Sequence, residues 1–271
     1  MKHGFAAAFS LAAAAALASC SGDETAEEIA MPGDVPRPAC EKVVFEDIPL
    51  TLCTADPARH AIHTALKPED GPPFRSLAAY AANRPADSEP VVFAMNAGMF
   101  DDDGEPIGYF VENGQRLHNL NRARGPGNFH MLPNGVFFGS DGKWEVRTSQ
   151  DFFDNVTSRP EFGTQSGPML VVKGELHSEI DPDGESLRIR NAVGVDQKGR
   201  ALFVISNEPV SFGKLARFYR DVLSVPNALF LDGTVSSLWD PLSGRLDSAI
   251  PIGPLIVVEK SAKGGAEESA P

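Results

Sequence analysis

Three cysteines, Cys20, Cys40 and Cys53, and no Cys-x-x-Cys leave little room for a redox or thiolate–metal centre. Basic residues are in deficit, 24 against 37 acidic, for a net charge of −13. A nucleic-acid partner needs a basic face, so that class is excluded as the main one. The alanine-dominated run from Gly4 to Ser19 falls short of the about 20 residues of a comfortable membrane span. Gly-x-x-x-x-Gly-Lys-Ser/Thr, His-Glu-x-x-His and Gly-x-Ser-x-Gly are all missing, which disfavours a nucleotide motor, a zincin and a standard serine hydrolase. The close histidine pair, His60 and His63, sits in a strand-like stretch, where a three-residue step sends the rings to opposite faces. Asp101-Asp102-Asp103-Gly104 and Asp181-Pro182-Asp183-Gly184 lack the full EF-hand spacing and read as exposed turns. No metal site and no cofactor is implied.

What is present is a foldable core with many turns. Apolar residues make up 42% and charged residues 23%, and 25 glycines with 22 prolines favour short strands over a helical bundle. Lys2 and His3 ahead of the apolar run predict a signal peptide over residues 1–19. The run ends Leu17-Ala18-Ser19-Cys20, which resembles the lipobox of bacterial lipoproteins. That resemblance implies a lipidated Cys20 and a membrane anchor on the periplasmic side of the bacterial envelope. Ser21 resembles the outer-membrane sorting pattern. Residues 20–39 are acidic and poor in large apolar groups, as expected of a disordered tether. With Cys20 lipidated, Cys40 and Cys53 form an even pair in an exported chain, for which a disulfide across a hairpin is the default.

Residues 40–258 read as one α+β domain with a largely antiparallel or mixed, curled sheet and a few flanking helices. Strands are expected at 91–95, 108–112, 131–138, 144–147, 169–172, 192–196, 201–206, 229–231 and 255–258, many separated by turn pairs such as Asn113-Gly114 and Asp141-Gly142. Helices are expected at 75–83 and 212–223. In the second, Ser211 is the N-cap and Leu215, Phe218, Tyr219, Val222 and Leu223 form one apolar face. Residues 259–271 read as a polar, disordered tail.

Four segments join an apolar run to glycine and small polar groups, the setting in which sites are usually built. They are Asn96-Ala97-Gly98-Met99-Phe100, Ser166-Gly167-Pro168, Arg190-Asn191-Ala192-Val193-Gly194 and Leu231-Asp232-Gly233-Thr234-Val235-Ser236-Ser237. In order and rough spacing the set resembles the phosphodiester glycosidase family, over about residues 90–258. The sequence departs from the family pattern at Ala97, Met99, Thr234 and Val235. The resemblance implies cleavage of a sugar from a phosphodiester at the anomeric carbon, with a carbohydrate phosphodiester as substrate. Such a site needs a cation for the departing phosphate and a carboxylate for the oxocarbenium-like sugar. Arg190 and Asp232 are the catalytic candidates. A turn cap on Thr234 is the structural alternative for Asp232. Asn96 and Ser236 are expected to position hydroxyls or phosphate oxygens, with Asn191 and Ser166 as further substrate-binding candidates. Gly98, Gly167 and Gly233 are expected to admit substrate close to the backbone. The block Arg124-Gly125-Pro126-Gly127-Asn128-Phe129-His130 supplies Arg124, Asn128 and His130 as further binding candidates. The expectation is an exported hydrolase of an envelope or extracellular sugar-1-phosphodiester. The alternative is a catalytically silent glycan-binding or phosphosugar-binding lipoprotein.

Overall fold

The computed structural model describes Met1 and residues 38–262. The expected signal peptide, the lipidated Cys20, most of the tether and residues 263–271 lie outside the described residues. The body is α+β and mostly sheet, with no closed barrel. Its strands fall into three antiparallel sheets. The first runs, in spatial order, Cys40–Phe45, Ile48–Ala55, Ala201–Ser206, Asn191–Val195, Ala228–Phe230, Met169–Val172 and Glu175–Leu176. The second runs Arg245–Leu246, Leu238–Asp240, Val91–Asn96, Leu255–Lys260 and His60–Ala65. The third runs Gln115–His118, Phe110–Glu112, Phe162–Ser166, Gly135–Ser140 and Lys143–Thr148.

The sheets meet on phenylalanine. Phe203 of the first packs edge-on against Phe93 of the second at 5.3 Å and Phe137 of the third at 5.6 Å. Each such pair contributes about 0.5–1.5 kcal/mol beyond the area it buries. The strand Ala201–Ser206 is buried throughout, which explains its unbroken apolar run. Phe203 and Ile205 face this central cluster, while Leu202 and Val204 face a second one under the helix that starts at Phe212. Ser211 caps that helix by accepting from the Lys214 amide at 3.2 Å.

The expected helical face needs one correction. Leu215, Phe218 and Tyr219 are buried, but Val222 is 54% exposed. The helix widens into a π-turn over Phe218–Val222, closed by Leu223 N donating to Phe218 O, and the extra residue rotates Val222 outward. The expected strand at 131–138 begins only at Gly135. Pro133 has no amide to give a ladder, and Asn134 turns its side chain back to Phe129 O. A short helix at Ser149–Asn155 was not expected; Thr148 caps it. Cys40 and Cys53 face each other in register and form the expected disulfide. Ala39 already accepts from the Thr54 amide, and the last strand continues through Lys260.

Candidate functional site

The site forms where strands of the first two sheets end side by side. Asn96 closes Val91–Asn96 and is 1% exposed. Its Nδ2 donates to the main-chain carbonyl of Asp232 at 2.9 Å. Its Oδ1 accepts from Asn191 Nδ2 and from the Ser237 amide, both at 2.9 Å. Asn191 Oδ1 in turn accepts from Ser236 Oγ at 3.0 Å, and that hydroxyl lies 3.1 Å from Gly233 O. The backbone adds Leu231 N to Asn191 O and Asp232 N to Ala97 O. The 96, 191 and 231–237 segments therefore interlock, and the amides of Asn96 and Asn191 are engaged with protein. Both residues act on the Asp232 loop, where ligand contacts had been expected of them.

Asp232 leaves the end of strand Ala228–Phe230. Antiparallel pairing sets Ala192 opposite Phe230, and Leu231 N still donates to Asn191 O, so Arg190 and Asp232 lie at neighbouring strand ends just beyond that bond. The Asp232 carboxylate accepts from the Thr234 amide at 3.2 Å, the capping contact foreseen as its structural alternative. It forms no ion pair among the described residues. Burial raises its pKa above the ordinary aspartate value, and the Thr234 amide offsets part of that.

Arg190 is 3% exposed. Its Nε donates to Val210 O at 2.9 Å and its Nη2 to Ser186 O at 3.0 Å. The guanidinium lies over the Phe212 ring at 3.6 Å, with Phe230 at 5.5 Å. Burial lowers its pKa to about 10, with Arg188 adding to the effect, so it remains charged at neutral pH. It too has no carboxylate partner among the described residues. Nη1 makes no hydrogen bond among the described residues. A buried cation without a counter-ion is costly, and an anion brought to its free edge relieves that cost. The arginine and the carboxylate stand at adjacent strand ends without neutralising one another.

Gly98 and Gly233 permit close approach within the protein. A Cβ on Gly98 would lie 2.0 Å from Gln165 O, and one on Gly233 would lie 2.5 Å from the Phe230 ring. The space they free is filled by the protein itself, and it lets the motif segments touch. Gly167 is likewise pressed against Asn134 and Phe129 O.

The Phe162–Ser166 strand joins through Gly98, whose amide donates to Thr164 Oγ1 at 3.1 Å. Ser166, on the same strand face as Thr164, is fully buried, and its hydroxyl has no partner among the described residues. Between them, Gln165 turns the other way. Its Oε1 accepts from the Tyr109 and Asn121 amides at 2.8 and 2.9 Å, and its Nε2 donates to Asn121 O and Ser149 Oγ. Sequence reasoning passed over Gln165 as an anchor; an amide inside an otherwise buried strand was the available signal.

Gln165 thereby holds one end of the stretch that carries Arg124 to His130. The loop leans on Gly167 through Asn128 O and Phe129 O. His130 Nδ1 lies 2.8 Å from Ala123 O, Arg124 and Asn128 are exposed, and Arg124 has no hydrogen bond or ion pair among the described residues. No hydrogen bond links Arg124, Asn128 or His130 to Arg190 or Asp232. The structure brings this loop beside Ser166–Gly167 but not into the strand-end network. An open groove of ≈ 390 Å³ begins at Ser236 and runs along Leu246 and Ile250. Among the described residues, no cluster of three or more His, Cys, Asp or Glu is placed to hold a metal.

An antiparallel α+β body with an unpaired cation and carboxylate at neighbouring strand ends is the class of protein defined here. Residues 89–259 match the phosphodiester glycosidase family profile. The uncharacterized protein YigE of Escherichia coli K12 is 32% identical over 203 residues, which span 74% of this chain and 79% of that protein. The chain belongs to the phosphodiester glycosidase family. Its fold is similar to the catalytic domain of zebrafish N-acetylglucosamine-1-phosphodiester alpha-N-acetylglucosaminidase, auto-inhibited by its pro-peptide. There the TM-score is 0.56 at 16% identity, covering 82% of each chain. Membership supports a hydrolase of phosphodiester-linked sugars.

Proposed function

We propose that the chain is an exported, lipid-anchored hydrolase that cleaves the bond between the anomeric carbon and phosphate oxygen of a sugar-1-phosphodiester in an envelope or extracellular glycan. The observation that carries this reading is the uncompensated pair at neighbouring strand ends: among the described residues, buried Arg190 has no acid and half-buried Asp232 no base. A phosphodiester joined to a sugar supplies what both lack. The phosphate meets the free edge of Arg190, and positive charge developing at the anomeric carbon meets Asp232.

The leaving group is a phosphate monoester, so little proton donation is needed to expel it. Water adds to the anomeric carbon, the carbon–oxygen bond breaks with its electron pair departing on phosphate, and the proton that water loses passes to Asp232 or to solvent. Asp232 serves the sugar side as nucleophile, base or electrostatic stabiliser. Its raised pKa makes it a better base than an ordinary aspartate. The test is incubation of the purified chain with a panel of sugar-1-phosphodiesters. Release of free sugar by the wild type, lost in Asp232→Asn, supports the hydrolase. Tight binding with no release by the wild type identifies the silent binding alternative.

The run ending Leu17-Ala18-Ser19-Cys20 supports anchoring through Cys20 on the periplasmic side of the outer membrane. Cys20→Ala is expected to abolish lipid labelling and release the chain from the membrane fraction. Unchanged processing and full membrane association would contradict it.

A further inference from the structure

We infer that the stretch 115–130, together with Arg159, is a binding strip for a polyanionic glycan, so that the substrate is a sugar-1-phosphodiester borne on a chain with further anionic groups. That the bound chain is substrate rests on the hydrolase reading; the strip itself rests on charge. From Asn113 to Ser140 there is no aspartate or glutamate, although the chain holds 37 of them. The same stretch contains Arg116, Arg122 and Arg124 with His118 and His130. Seven arginines elsewhere, Arg59 and Arg220 among them, pair with a carboxylate. Arg116, Arg122, Arg124 and Arg159 are exposed, and none of the four has an ion pair among the described residues. In a chain of net charge −13, cations collected without acids make a local field that draws anions.

The fold gathers these four. Tyr109 and Asn121 give their amides to one acceptor, Gln165 Oε1, which sets the start of the Arg122–Arg124 loop beside the Tyr109 backbone. Burial raises the Tyr109 pKa, and Arg116 and Arg159 each lower it, so both cations lie around that phenol. Tyr109 packs on Phe152 at 4.8 Å, and the next residue, Phe153, lies under the Arg122 guanidinium at 3.7 Å. Beside Arg122 a cleft of ≈ 280 Å³ opens against Pro133 and Gln150. Beyond Arg124 the loop leans on Gly167, where the strip borders the Ser166 segment. Acids at the border are engaged: Asp151 with Arg147 and Asn155, Asp154 with Gln150, Glu161 with the Asp141 amide. A lone phosphodiester needs one cation, which Arg190 supplies; four more call for a ligand with several anions. Nucleic-acid bases would need open aromatic faces, but Tyr109 and Phe152 are buried and Arg122 covers one face of Phe153. An anionic bilayer would bring a whole face of an acidic protein against like charge, whereas a single chain meets only the strip.

The test measures binding of dextran sulfate, dextran, an oligothymidylate and phosphatidylglycerol vesicles to the full chain. Arg116→Gln/Arg159→Gln removes two strip cations. Arg59→Gln/Arg220→Gln removes two surface cations that are already paired, for the same loss of charge. Dextran sulfate should bind with an affinity that falls steeply as salt rises, and uncharged dextran should not bind. The strip variant should bind dextran sulfate about fivefold more weakly than the wild type, and the paired-cation variant within about twofold of it. Dextran sulfate left unbound, equal weakening in the two variants, or dextran bound as tightly as its sulfate would overturn the proposal. So would strip-dependent binding of the oligonucleotide or the vesicles that is tighter than that of dextran sulfate. If dextran sulfate binding is strip-dependent but no sugar-1-phosphodiester is ever hydrolysed, the strip stands and the hydrolase reading falls. Hydrolysis without polyanion binding would reverse that outcome.

Discussion

Arg190 and Arg124 mark the two extremes of how this molecule holds a cation. Arg190 is buried, stacked on Phe212 and tied to two backbone carbonyls, and it keeps one edge free. Arg124 is exposed on a glycine-rich loop and has no hydrogen bond or ion pair among the described residues. The regions around them differ likewise. The strand-end network spends nearly all its polar atoms on itself, so what it presents to a ligand is small in number and fixed in place. The loop presents many free groups without fixing any. Preorganised groups cost little to order at the moment of reaction, whereas adaptable ones add affinity at an entropic cost. The proposed reading therefore assigns chemistry to the first region and capture to the second.

The largest expected effect breaks the network's chemistry while leaving its frame. Asp232→Asn keeps an oxygen for the Thr234 amide and should fold, while kcat falls by about 10²–10³. The ionised carboxylate is disfavoured by burial, a cost that grows as pH rises from the unfolded aspartate pKa through the raised folded one. Asp232→Asn should accordingly melt no lower than the wild type at neutral pH, read by calorimetry. Wild-type activity should fall in acid at a higher pH than an ordinary aspartate would give, as Asp232 is protonated.

Arg190→Ala should come next. It removes the anion's partner and the stack on Phe212, and it should harm an aryl phosphate leaving group less than a sugar phosphate. Arg190→Lys keeps charge but loses the planar fork, so partial impairment is expected. Equal losses on both leaving groups would remove Arg190 from the phosphate side.

A paired comparison sharpens the contrast between the regions. Asn191→Ala leaves Asn96 and Ser236 short of partners and should cost about 1–3 kcal/mol in denaturant unfolding, with the loss of activity falling on kcat. Arg124→Ala should leave stability unchanged and raise KM. A reversed pattern would invert the assignment of chemistry and capture.

Smaller effects lie outside the site. Replacing Cys40 and Cys53 by serine reopens a link between residues 13 apart and should cost roughly 2–3 kcal/mol. His60 is held neutral by burial, with its pKa lowered from 6.5 to about 4, and Nδ1 accepts the Asp56 amide. Its contribution to stability is complete above pH 6.5 and is lost as pH falls toward 4. His60→Gln should blunt that acid sensitivity in a pH series of melting curves.

Much of this was legible in the sequence where a residue type conflicts with its surroundings. Asp232 and Arg190 stand out as charges at the ends of apolar runs, and the strands that carry them pair with each other. The roles of Asn96 and the glycines were hidden, because a motif reports that a residue matters and not what it touches. Asn96 reaches across 136 positions to Asp232, and Gly98 makes room for a carbonyl from another sheet. Val222 fits a helical stripe, but the π-turn that swings it outward leaves no mark in the apolar spacing. Met131 to Asn134 reads as strand by apolarity alone, and Met131 is indeed packed against the core, as loop.

The most direct test of the central claim, that the two unpaired charges act on opposite sides of a sugar–phosphate bond, is hydrolysis in oxygen-18 water. A sugar-1-phosphodiester that the chain turns over is used, and both products are weighed by mass spectrometry. Attack at the anomeric carbon, with Asp232 on the sugar and Arg190 on the phosphate, puts the label in the released sugar and none in the phosphate ester. Label in the phosphate ester would mean water attacks phosphorus, and the assignment of both residues would be wrong.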